Sequence, residues 1–282
     1  MKKIIALLSI VSVSAAFGEC AVSMGLLAPT GRKVETFSWC SSRGGERHNM
    51  ILVHPKDKTQ DSKAPLFVAL HGHGASIIGN YRWESMPIDD ASKCDICWIP
   101  EDFYGLILEV RRIEDFWGIP KDCVVPKVKG GKNAPVPDEI SETEKRVLEQ
   151  VEWAASNLAV DRNRIYLGGA SMGGSGTLGL GLVNGDVFAA IKANVSASPY
   201  HVIKRAGFGG ELARIPDPPV LVEYSAQNDR WSLDKDLLYS GMDAAKYSIY
   251  AYWGPFGHTG RNSRVLPKND LVGSFNIFDI KL

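Results

Sequence analysis

Residues 164–174 run Arg164-Ile165-Tyr166-Leu167-Gly168-Gly169-Ala170-Ser171-Met172-Gly173-Gly174. An apolar, β-prone segment breaks off in G-x-S-x-G (Gly169, Ser171, Gly173) and passes into small residues that can start a helix. A sharp strand-to-helix turn of this form lifts a serine hydroxyl above a sheet. Glycines flank the serine because the turn is strained and neighbouring backbones come too close for a Cβ. A serine held out in this way serves as a nucleophile once a base takes its proton.

Working upstream, Ser141-Glu142-Thr143-Glu144 has the form of a capping box, and Val147, Val151, Ala154, Ala155 and Leu158 follow at helical spacing. Met50–Val53, Pro65–Leu70 and Gly105–Val110 are short apolar runs that read as strands. The second is continuous enough to be buried on both faces. Downstream, Phe188–Val195, Pro219–Tyr224 and Tyr247–Trp253 read as strands. Helices are expected over the glycine-rich stretch that ends near Asn184-Gly185 and over Leu233–Ala245. Strands alternating with helices predict an α/β class fold, a mostly parallel central sheet with helices on both faces. Ligands of such sheets bind beyond the carboxyl ends of the strands. Ile113–Pro137 and Ser198–Pro216 read as loops that shape the pocket, the first long enough to be functional in its own right.

Six histidines are available to activate Ser171. His258 stands in Trp253-Gly254-Pro255-Phe256-Gly257-His258-Thr259-Gly260, just past the last strand, and His201 is the next candidate. His48 and His54 fall near the first strand, far from the expected rim. A carboxylate must orient the histidine, and Asp229 directly follows a buried strand in Tyr224-Ser225-Ala226-Gln227-Asn228-Asp229. Asp217 precedes that strand, while Asp234 and Asp236 fall in the next helix. An oxyanion hole needs two donors. One is the backbone N–H of Met172, and the other comes from the loop His71-Gly72-His73-Gly74 after the strand ending at Leu70, assigned to the His73 N–H.

With these motifs the chain resembles α/β-hydrolase-fold serine esterases, in the group of secreted feruloyl esterases, acetylxylan esterases and polyhydroxyalkanoate depolymerases. Leu70-His71-Gly72-His73-Gly74, Asp161–Gly174, Asn228-Asp229 and Gly257-His258 carry the resemblance, from about Ile51 to Arg261. The order Ser171, Asp229, His258 is the serine, acid, histidine order of that fold; choosing His201 would reverse the last two. The resemblance implies ester cleavage through an acyl-enzyme, on a small-molecule ester or an acyl group linked to plant or algal polysaccharide. Two other readings use the same residues: a serine peptidase on the same fold, and an exported binding protein without turnover.

The 282 residues, 45% of them hydrophobic, suffice for a single domain with a sizeable core, expected over residues 19–282. A formal net charge of zero argues against nucleic acid as a partner. Lys2 and Lys3, the apolar Ile4–Ala16 and the small residues of Ala16-Phe17-Gly18 read as a signal peptide over residues 1–18, so the expected location is secreted or periplasmic. That run is too short for stable membrane insertion, which takes about 20 apolar residues. Export would bring Cys20, Cys40, Cys94, Cys97 and Cys123 into an oxidising compartment, where one or two structural disulfides are expected. His71 and His73 have no carboxylate cluster beside them, so no metal site is assigned and no cofactor is required. Trp117, on the long loop, and Trp231, two residues past Asp229, either stack on a substrate ring or anchor their loops.

Overall fold

All seven residues of Ala64–Leu70 are buried, so the continuous apolar run forms a strand lined by core on both sides. The structure is a computed structural model. It describes residues 23–27, 32–40, 48–56, 62–73, 99–110, 117, 140–197, 199–207, 217–229, 231, 235–254, 258 and 280–282. The strands in chain order are β1 (Ser23–Leu27), β2 (Lys33–Trp39), β3 (His48–Val53), β4 (Ala64–Leu70), β5 (Tyr104–Leu108), β6 (Val160–Ala170), β7 (Ala190–Asn194), β8 (Val220–Ala226) and β9 (Ile249–Gly254). They form one sheet in the order β1-β2-β3-β5-β4-β6-β7-β8-β9. From β5 to β9 every pairing is parallel. β1, β2, β3 and β5 pair antiparallel. β1 and β2 were not among the predicted strands.

Strand order reverses at β4. From β4 the chain crosses to β5 on one side, then returns to β6 on the other. The loops leaving β4 and β6 therefore diverge, which opens a crevice at the carboxyl ends of these two strands. His71 and Ser171 are the first residues past those ends.

The described helices are α1 (Glu142–Asn157), α2 (Met172–Gly181), α3 (Pro199–Arg205) and α4 (Asp236–Ala245). Alternate strand residues go to opposite faces and form two clusters. One joins Leu66, Val68, Leu70, Leu167, Ile191 and Leu221 to residues of all four helices, such as Val151, Leu178, Ile203 and Met242. The other joins Phe67, Ala69, Tyr166, Val222 and Tyr224 to Ile99, Phe103 and Ile280. Among the described residues, helices pack on the first of these clusters and none contributes to the second.

The capping box forms as predicted. Ser141 Oγ accepts from the Glu144 N–H at 3.2 Å, and the Ser141 N–H donates to the Glu144 carboxylate at 2.8 Å. The same carboxylate pairs with Arg205 of α3, whose guanidinium also donates to the Gly179 carbonyl of α2 at 2.8 Å. One buried ion pair thus ties three helices together. α3 lies inside the stretch Ser198–Pro216 that reads as a loop, so that expectation is corrected in part. The predicted signal peptide, Cys20, Cys94, Cys97 and Cys123 lie outside the described residues, as does the long loop apart from Trp117. Among the described residues no helix is long and apolar enough to cross a membrane.

Candidate active site

Ser171 sits at φ 58°, ψ −115°, a left-handed conformation that costs a non-glycine residue about 1–3 kcal/mol. Tertiary hydrogen bonds hold it there. Its N–H donates to the Asn194 carbonyl at 2.9 Å, and its carbonyl accepts from the Ala197 N–H at 2.9 Å and the Ser175 N–H at 3.1 Å. The strap that supplies the Ala197 bond turns at Val195, itself at φ 39°, a strained value for a β-branched residue. Ser175 Oγ donates to the Ala197 carbonyl and fastens the strap to α2.

The flanking glycines meet the demand read from sequence. A Cβ on Gly169 would lie 2.6 Å from the Leu70 carbonyl oxygen, and one on Gly173 would overlap that oxygen. Gly173→Ala must push β4 away from α2. We expect it to cost about 3 kcal/mol, the upper part of the overpacking range, seen as a lower denaturant midpoint with the slope unchanged. An unaltered midpoint would show that the two backbones are not in contact.

Ser171 Oγ lies 2.6 Å from His258 Nε2, and His258 Nδ1 lies 2.7 Å from Asp229 Oδ2. The structure thus brings together three residues separated by 87 and 29 positions in sequence. The Asp229 side chain is 2% exposed and that of His258 29%. An ionised carboxylate only accepts, so it selects the His258 tautomer with hydrogen on Nδ1 and leaves Nε2 free to take the serine proton. The other carboxylate oxygen accepts from the Trp231 N–H at 3.1 Å. His201, the alternative base, is the third residue of α3.

The Asp229 loop is held at its far end by a network that sequence reading missed. Glu223 of β8 is fully buried and binds Lys235 Nζ, the Tyr239 hydroxyl at 2.6 Å and the Ser225 hydroxyl at 2.9 Å. Lys235 immediately precedes α4, so this ion pair fixes the loop's exit against the strand that starts it. Burial, then the Glu223 charge, push the Tyr239 phenol above its usual range, so it stays a donor. Removing either charge would strand the other in the core, which costs about 3–5 kcal/mol.

Met172 opens α2, and its N–H is at the helix N-terminus, where the backbone favours negative charge. On the opposite side of the crevice, a Cβ on Gly72 would be 3.3 Å from the Ala170 carbonyl oxygen and 3.5 Å from Ser171 Cβ, so Gly72 lies against Ser171. His71 is buried, and His73 is exposed. Trp117 is 2% exposed, and its Nε1–H donates to the His71 carbonyl at 2.9 Å. Its ring is walled in by Gly176 of α2, where a Cβ would come within 2.9 Å of Trp117 Cγ. Of the two roles open to it, anchoring describes it and stacking on substrate does not. Trp231 is 8% exposed, with its ring likewise buried. Among the described residues no group of three or more His, Cys, Asp or Glu side chains gathers that could hold a metal ion.

No protein-family model matches the chain, and no curated protein matches it in sequence. Solved structures do match. The chain is similar to the fluorophosphonate-binding serine hydrolase F of Staphylococcus aureus, with a TM-score of 0.58 at 14% identity over 83% of this chain and 95% of that one. It is similar to a ferulic acid esterase with a TM-score of 0.59 at 15% identity, over the same shares of the two chains. An S-formylglutathione hydrolase from Agrobacterium tumefaciens matches with a TM-score of 0.55 at 12% identity, over 84% of this chain and 91% of that one. The strand order and these likenesses together identify the α/β-hydrolase fold.

Proposed function

We propose that this α/β-hydrolase-fold chain is a serine hydrolase that cleaves carboxylic esters through an acyl-enzyme. The observation that carries the reading is the relay from Ser171 Oγ through His258 to Asp229, with links of 2.6 and 2.7 Å. Both lie within the reach of proton transfer. Ser171 Oγ attacks the ester carbonyl carbon as His258 Nε2 takes its proton, and Asp229 remains ionised beside the imidazolium. The carbonyl electrons move onto oxygen, where the N–H groups of Met172 and His73 receive them. Collapse of the adduct breaks the bond to the alcohol, which leaves with the proton from His258. Water then adds to the acyl carbon, giving its proton to His258, and the carboxylic acid departs as Ser171 is restored. Each step uses only water and groups of this chain.

The substrate class we assign is an acyl group esterified to plant or algal polysaccharide, met outside the cytoplasm in a secreted or periplasmic setting. The likeness to a ferulic acid esterase supports the acyl group. The basic start and apolar run of residues 2–16 support export. The test is a panel of acetyl, feruloyl and longer-chain acyl esters beside short peptide anilides, run with a fluorophosphonate probe. We expect the probe on Ser171 and the highest kcat/KM among the polysaccharide-type acyl esters. Anilides outcompeting every ester would replace this reading with a peptidase. A folded protein whose Ser171 takes no probe would be a binding protein.

A further inference from the structure

Val110 N–H points at His71 Nε2, 3.1 Å away. A backbone N–H only donates, so Nε2 is the unprotonated nitrogen. In the neutral ring the hydrogen then resides on Nδ1. Nδ1 faces the Gly72 carbonyl oxygen at 3.0 Å, and its N–H donates there. Burial holds the His71 pKa below its usual value, which keeps the ring neutral and this tautomer in place. Two backbone groups 38 residues apart in sequence, Gly72 O and Val110 N–H, are thereby bridged by one imidazole.

The Gly72 carbonyl belongs to the same peptide unit as the His73 N–H. A planar trans peptide directs its C=O and N–H to opposite sides. Drawing the carbonyl toward the buried ring therefore turns the His73 N–H away from it, one residue past Gly72, which lies against Ser171. The preceding peptide is secured separately. His71 O accepts from Trp117 Nε1–H at 2.9 Å, and the two rings meet edge to face with centroids 5.2 Å apart. Trp117 in turn packs on Gly176 of α2, the helix that begins beside the nucleophile.

We propose that His71 is a positioning residue. Its Nδ1–H tautomer, selected by the Val110 N–H, aims the His73 N–H at the oxyanion that forms above Ser171, and Trp117 braces the peptide before it. The inference rests on the hydrolase reading given above. A donor aimed in advance needs no reorganisation as charge develops on oxygen, so its gain appears in the transition state rather than in substrate binding.

The test uses His71→Leu, which removes both ring nitrogens, and Trp117→Phe, which keeps a ring but removes the Nε1–H. Active sites are titrated to completion with a fluorophosphonate, kcat and KM are measured on an acetyl ester, and Ki is measured for a trifluoromethyl ketone. That ketone adds Ser171 Oγ to its carbonyl carbon and leaves an oxyanion in the hole. Per titrated site, we expect kcat to fall about 10²-fold in His71→Leu and about tenfold in Trp117→Phe. KM should move by less than about threefold, and the ketone Ki should rise in step with the loss of kcat. Unchanged kcat per titrated site would overturn the proposal, as would a kcat loss with ketone binding intact. Should His71→Leu not fold, Trp117→Phe carries the same comparison alone. Wild-type protein with neither turnover nor labelling would sink the hydrolase reading and this inference with it, whereas an active wild type with unmoved variants sinks the inference alone.

Discussion

Ser171→Ala is expected to lower kcat on an ester substrate by about 10⁴- to 10⁶-fold and to leave the fold in place. The substitution removes one oxygen. The bonds that hold residue 171 run to its backbone, from Asn194, Ala197 and Ser175, and survive the change. Alanine inherits the positive φ that serine already tolerates, so the elbow gains little new strain. What disappears is the atom 2.6 Å from His258 Nε2. Single-turnover and steady-state hydrolysis, with circular dichroism as the control for folding, measure the effect. Turnover near the wild-type rate would remove Ser171 from the mechanism.

Asp229→Asn is expected to cost about 10⁴-fold in kcat, and the Trp231 N–H explains why so small a change matters. That N–H donates to one side-chain oxygen of residue 229 at 3.1 Å. In the amide, the carbonyl oxygen is held by Trp231, so the NH₂ group faces His258 Nδ1. An NH₂ group donates, Nδ1 must accept, and the ring hydrogen moves to Nε2. His258 then presents an N–H to Ser171 where a base is required. Hydrolysis rates test this, and Asp229→Asn with a loss under about tenfold would show that the carboxylate does not set the tautomer.

How much of this could be read from the chain depends on whether the demand was local. The elbow was legible because its steric constraint falls on residues two positions either side of Ser171. β4 was legible because burial on both faces leaves an unbroken apolar run, and the capping box because its reciprocal bonds span three residues. β2 hides for the opposite reason. Val34 joins one face of the core while Phe37 and Trp39 join the other, with Glu35, Thr36 and Ser38 between, so neither alternation nor a continuous run appears. α3 has seven residues, too few to display a helical period.

The site divides along the same line. Ser171, Asp229 and His258 each follow a strand, so their positions in chain order carried the signal. The supports do not. His71 finds its partners 39 and 46 residues away, and Glu223 meets Lys235 across a loop and Tyr239 in the following helix. Nothing in either neighbourhood announces these meetings. A buried histidine directly after a core strand was the available clue, and its tautomer became readable only when Val110 was seen beside it. Trp117 could be placed as a loop residue, but its burial under the crevice decided between its two roles.

The strained turn at Ser171 has a use beyond chemistry. It exists only while Asn194 and Ala197, supplied by the end of the neighbouring strand, hold the backbone at positive φ. In an unfolded chain Ser171 is an ordinary hydroxyl among many. On the mechanism we propose, a fluorophosphonate pulse shorter than refolding would tag native molecules and spare unfolded ones. Across a denaturant series, the ratio of tagged to untagged protein on a gel would trace the folding equilibrium with no optical signal at all.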